Sequence, residues 1–176
     1  MQIISVINQK GGVGKTTTVI NLAAGLSQMK KKILVIDLDP QGNATTGLGL
    51  SNMDNSTETI YGVLNGTKEI SEVIKKTQFE NLDIITSNVD LSGLEVETAD
   101  DGNRAFILKV KLALYLNNSR GSYDYILIDC PPSLSLLTVM ALVCSSSLLV
   151  PLQTEFFALE GLTQLMKTIE RIKVSL

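Results

Sequence analysis

The stretch NQKGGVGKTTT, residues 8–18, holds the residues best suited to chemistry in this chain. Glycines at 11, 12 and 14 let successive backbone N–H groups converge on phosphate oxygens, as in a Gly-x-x-x-x-Gly-Lys-Thr phosphate loop. Lys15 then lies between the β- and γ-phosphates of a nucleoside triphosphate, and the Thr16 hydroxyl ligates Mg²⁺. Gly11, Gly12, Val13, Gly14, Lys15, Thr16 and Thr17 together form the cradle. Lys10 is not required by that pattern. A second cation ahead of the glycines needs a reason of its own.

A phosphate loop works only between a strand and a helix, and the flanking sequence supplies both. IISVINQ (3–9) is a β-branched run read as a buried strand. TTVINLAAGLSQM sets Val19, Leu22, Ala23, Leu26 and Met29 on one helical face. KILVIDLD (32–39) is a second buried strand, which completes a βαβ unit and predicts a parallel sheet with right-handed crossovers. Residues 40–57, rich in Gly, Asn, Ser and Thr, read as a loop. TIYGVLNG and ISEVIKK read as short helices, NLDIITS (81–87) as a third strand, and AFILKVKLALYL (105–116) as a helix. A strand at YDYILIDCPP (123–132), a helix at SLSLLTVMALVCS, a strand at SLLVPL (147–152) and a helix over 158–174 complete the chain. No repeat or linker interrupts it, so residues 1–176 are expected to form a single α/β domain.

KGGVGKTT resembles the deviant Walker A motif of the ParA/MinD superfamily of P-loop ATPases. The resemblance implies a three-layer α-β-α P-loop fold with a mostly parallel, twisted sheet, and ATP with Mg²⁺ as cofactors. It also implies a role for Lys10, which in that family crosses an ATP-sandwiched dimer to the partner's phosphates. A cation supplied in trans is engaged only when two loaded subunits close, which links nucleotide state to dimerisation. IDLDPQGNAT (36–45) resembles the superfamily's switch I, where Asp39 matches the acid that positions the attacking water. Asp37, two residues earlier on the same side of an extended chain, suits the metal's water shell or switch contacts. YILIDCPPS (125–133) resembles Walker B and switch II, with Asp129 holding Mg²⁺ through water. DLDPQGNATTGLG and PLQTEFFALEGL (151–162) look like the ParA/Soj branch of chromosome and plasmid partitioning. That branch implies slow hydrolysis stimulated by a ParB-like centromere-binding partner, an ATP-state homodimer, non-specific DNA binding and a cytoplasmic, nucleoid-associated location.

The bulk numbers narrow the alternatives. A net charge of −3 gives no global pull toward nucleic acid or anionic lipid, and no apolar stretch is long enough to span a bilayer. Lys30-Lys31-Lys32 is read as complementing the dipole of the helix it follows. The final helix carries an apolar stripe at Leu159, Leu162, Leu165, Met166, Ile169 and Ile172, read as packing against a sheet rather than as a MinD-like membrane anchor. Cys130 and Cys144 form no C-x-x-C pair, which argues against a shared iron-sulfur cluster and fits reduced thiols.

Three departures from the ParA/Soj pattern shape the expectations. Relatives of this kind continue past the helix at 158–174, so the last strands and helices, the adenine-contacting loop and much of the basic DNA surface are expected to have no counterpart. With only Arg104, Arg120 and Arg171 as arginines, DNA binding should be weaker than in a longer relative. A non-catalytic nucleotide-binding module is the alternative that follows. Ser135 stands where many relatives carry glycine, and QMKKKILV lacks a glycine to end the first helix.

Overall fold

A computed structural model describes residues 1–50, 56–118, 123–154 and 158–175. Six strands form one sheet: β1 (Gln2–Val6), β2 (Ile33–Asp37), β3 (Ile74–Lys76), β4 (Leu82–Ile85), β5 (Tyr125–Asp129) and β6 (Ser147–Leu149), in the order β3-β4-β2-β5-β1-β6. Every pairing is parallel except β3 with β4. The helices are α1 (Lys15–Gln28), α2 (Asn43–Gly47), α3 (Ile60–Leu64), α4 (Ile70–Val73), α5 (Leu94–Glu97), α6 (Ile107–Asn118), α7 (Leu136–Cys144) and α8 (Ala158–Ser175).

The inner strands are apolar on both faces because helices cover both faces. Alternation along each strand sorts the side chains. Val35 and Leu127 join Val19, Ala23, Ala44 and Leu48 beneath α1 and α2. Leu34, Ile36, Ile126 and Ile128 join Ile60, Val63, Leu108, Leu112, Met140 and Leu165 on the opposite face. The register sets Val6 beside Asp129 and Asp129 beside Asp37, so β1, β5 and β2 end level. The chain segments leaving all three strands therefore share one edge of the sheet, where ligands of open α/β sheets collect.

Several expectations need correction. Met29 does not join the buried face of α1; it caps the helix and is 70% exposed. The 40–57 loop contains α2, because the buried carboxylate of Asp37 accepts the Thr45 N–H and holds a helical turn there; residues 51–55 of that loop lie outside the described residues. ISEVIKK splits into α4 and the edge strand β3, since Ile74–Lys76 pair antiparallel with β4 and tertiary pairing overrides the helical reading. The 88–106 stretch adds α5 and two short 3₁₀ turns.

Two departures have a local resolution. Without a glycine, α1 still ends in a left-handed residue: Lys30 takes φ 59°. Its N–H donates to the Ser27 carbonyl at 2.9 Å and the Lys31 N–H to the Leu26 carbonyl at 3.1 Å, a Schellman closure built on lysine. Ser135 sits at φ −79°, an extended conformation open to any residue, so glycine is not required there. In α8 the stripe packs as expected at Leu165 and Ile169, which are buried, whereas Met166 is exposed; the Leu159 side chain lies outside the described residues.

Candidate functional site

The phosphate loop follows β1 and leads into α1 with Gly12 at φ 75° and Gly14 at φ 87°, left-handed positions that a side chain would strain. Gly14 caps α1 with no side-chain hydrogen bond, so the first N–H groups of a 14-residue helix are open to an anionic ligand. A cavity of about 480 Å³ lies there. Gly11, Gly12, Gly14, Lys15, Thr16 and Thr17 form one side of its lining; Asp39, Gln41, Asn43 and Pro132 complete it. Val13 is buried and contributes no lining. Lys15 is only 7% exposed, and its ammonium donates to the Lys10 carbonyl at 3.3 Å. Lys10 itself is exposed and stands outside the cavity lining.

The three acids, close together at the ends of their strands, differ in what their oxygens do. Asp129 is fully buried, and its Oδ2 accepts the Thr16 hydroxyl at 2.7 Å. Its Oδ1 has no hydrogen-bond partner among the described residues. Burial, reinforced by repulsion from Asp37 and Asp39, pushes its pKa up to about 7, against the opposing pull of the Thr16 hydroxyl and Lys15. An orphaned carboxylate oxygen beside a threonine hydroxyl is a hard-oxygen donor set that fits hydrated Mg²⁺.

Asp37 has no such vacancy. Fully buried, it accepts the Thr45 hydroxyl (2.7 Å) and N–H (2.8 Å) on Oδ2, and the Asp39 N–H (3.2 Å) on Oδ1. Desolvation lifts its pKa to about 6 against these hydrogen bonds. Of the two roles expected for Asp37, these hydrogen bonds are those of a switch contact, and Asp37 does not itself line the phosphate cavity. Asp39 does line the cavity, with its Oδ1 accepting the Gln41 N–H at 3.0 Å.

Five further groups carry no role in the sequence reading. Gln41, Asn43 and Pro132 line the cavity, and all lie within or beside segments recognised as switches. Gln153 Nε2 donates to the Gly12 carbonyl at 3.2 Å, and Asn8 Nδ2 to the Pro151 carbonyl at 2.8 Å. These bonds clamp the segment after β6 onto the phosphate loop. The amide at 153 in PLQTEF was the available signal.

The geometry meets its counterparts in known proteins. A family model described as an AAA domain matches residues 1–176. The chain belongs to that family, as a ParA/Soj-like member. It is 48% identical over 176 residues to the chromosome partitioning protein ParA of Caulobacter vibrioides, covering 100% of this chain and 65% of the relative. It is 45% identical over 172 residues to the sporulation initiation inhibitor protein Soj of Bacillus subtilis, with 98% and 66% covered. This ParA/Soj-like chain thus spans just under two thirds of the length of these two relatives. Among solved structures, cobyrinic acid a,c-diamide synthase from Mycobacterium smegmatis with bound ATP analogue and magnesium superposes with a TM-score of 0.89 at 37% identity, over 98% of this chain and 68% of that one. A plasmid partition protein from Borrelia burgdorferi gives 0.82 at 30%, over 98% and 74%.

Proposed function

We propose that this chain binds Mg-ATP in the loop at residues 10–17 and acts as the motif-bearing part of a partition ATPase. The observation that carries the reading is one cavity whose lining brings Lys15, Thr16 and Asp39 together, with Asp129 hydrogen-bonded to Thr16 behind it. The partition relatives at 45–48% identity are closer in sequence than the synthase at 37%, which favours partitioning over amide synthesis.

In this mechanism the N–H groups at the start of α1 and the Lys15 ammonium neutralise the β- and γ-phosphates as charge moves between them. Thr16 and Asp129 hold Mg²⁺, which when bound supplies electrostatic stabilisation of the phosphate oxygens. Asp39 accepts a hydrogen bond from the attacking water and aims it at the γ-phosphate. Lys10, exposed and outside its own cavity, reaches a second subunit's phosphates when two loaded chains close. The dimer binds DNA non-specifically, and a ParB-like partner stimulates hydrolysis to ADP and phosphate and releases it.

Phosphate release and nucleotide binding test this together. Asp39→Ala should bind a fluorescent ATP analogue like the parent chain but lose turnover, roughly a hundredfold, as for removal of one positioned acid–base group; Lys15→Ala should lose binding. Unchanged turnover in Asp39→Ala would remove the catalytic assignment, and binding without turnover in the parent chain would leave a nucleotide-binding module.

A further inference from the structure

The Thr45 hydroxyl joins α2 to the ends of two strands, β2 and β4. It donates to Asp37 Oδ2 at 2.7 Å, at the end of β2, and accepts the N–H of Ser87 at 3.0 Å, where the chain leaves β4. Thr45's own N–H reaches the same carboxylate oxygen at 2.8 Å. From the other oxygen of Asp37 the connection runs to the Asp39 N–H at 3.2 Å, and the Asp39 carbonyl in turn accepts the Gly42 N–H at 2.9 Å. Asp37, Thr45 and Ser87 are all fully buried, and none lines the phosphate cavity.

Asp37 and the backbone bonds that meet it thus fix the path of residues 37–45, and that path carries Asp39, Gln41 and Asn43 into the cavity lining. The Leu38 N–H ties this path to Asp129 at the end of β5, and the Thr45 hydroxyl ties it to Ser87 just past β4. A buried carboxylate and a buried N–H each lose a partner if that hydroxyl is removed.

We propose that the Thr45 hydroxyl is a positioning group for Asp39, locking the 37–45 segment to the end of β4 so that the water-orienting acid keeps its place in the phosphate cavity. The proposal rests on the reading of Asp39 given above.

The substitutions Thr45→Val, which keeps the shape and removes the hydroxyl, and Thr45→Ser, which restores it, separate hydrogen bonding from packing. Three readouts are taken on each: affinity for a fluorescent ATP analogue with Mg²⁺, phosphate release, and amide hydrogen exchange. Thr45→Val should keep nucleotide affinity within about threefold, because the cradle does not use Thr45, while turnover falls about tenfold or more. Thr45→Ser should return turnover to within about threefold of the parent. Equal losses in both variants would assign the effect to packing and overturn the proposal, as would unchanged turnover in Thr45→Val.

Hydrogen exchange decides the case without hydrolysis. If the parent chain releases no phosphate, the ATPase reading fails, yet the positioning claim still requires faster exchange at the amides of residues 39, 45 and 87 in Thr45→Val, with α1 and β5 unchanged. No selective acceleration there, or an equal acceleration throughout the sheet, would overturn it.

Discussion

Asp129 makes the nucleotide-free chain sensitive to pH in a direction opposite to ordinary acid denaturation. Its pKa of about 7 in the folded state stands against 3.8 for an unperturbed aspartate. The folded state therefore binds the proton more tightly than the unfolded state between these values. Stability from this group is fully present below about pH 4 and is lost as pH rises through about 7. A gap of roughly three pK units at about 1.4 kcal/mol each sets an upper bound of about 4 kcal/mol. Asp37, with its pKa raised to about 6, adds to the same trend and shares part of the coupling. Asp129→Asn removes the buried charge and can still accept the Thr16 hydroxyl, but it places an amide N–H where Oδ1 has no partner, a cost of about 1–2 kcal/mol. The net expectation at pH 8 in EDTA is a gain of about 1–3 kcal/mol, with no gain or a loss at pH 4. Urea unfolding at the two pH values reads this directly. Added Mg²⁺ and ATP should narrow the gap at pH 8, because they bind the native parent chain and not its unfolded state. If Asp129→Asn keeps the parent's full pH dependence, the assignment of the buried charge to this residue is wrong.

Other substitutions test the frame around the site. Lys30→Gly should raise stability by about 0.5–1 kcal/mol, because lysine holds the left-handed closure of α1 at φ 59°; thermal melts should show a rise of a few degrees at most. Gly62→Ala should be among the most damaging small changes, since an added Cβ would run into the Thr57 carbonyl, and a loss beyond about 2 kcal/mol in urea is expected. Gln153→Ala should weaken binding of an ATP analogue by roughly two- to tenfold by releasing the phosphate loop from the segment after β6, with little change in melting temperature.

The parts of the fold that were legible in the sequence are those whose signal is local. β1, the glycine loop, α1 and β2 follow one another within forty residues, and each carries its own pattern of apolar runs, glycines and periodicity. The place of Asp129 at the end of an apolar strand was legible for the same reason. The misreadings fall where distant groups decide. α2 depends on the carboxylate of Asp37, and β3 depends on the free edge of β4, so neither shows in composition. The bonds from Thr45 to the buried Asp37 carboxylate could not be read from a spacing of two residues from Asp39. Period alone places Met29 on the helical face, whereas the helix stops one residue before it.

The most direct test of the central claim is the mass of the chain in solution with and without Mg-ATP, measured by light scattering alongside nucleotide binding, with Lys10→Ala and Lys15→Ala as companions. The account predicts ATP-dependent dimers in the parent chain, loss of binding and dimers in Lys15→Ala, and retained binding without dimers in Lys10→Ala. A parent chain that binds no nucleotide, or dimers that persist in Lys10→Ala, would contradict it.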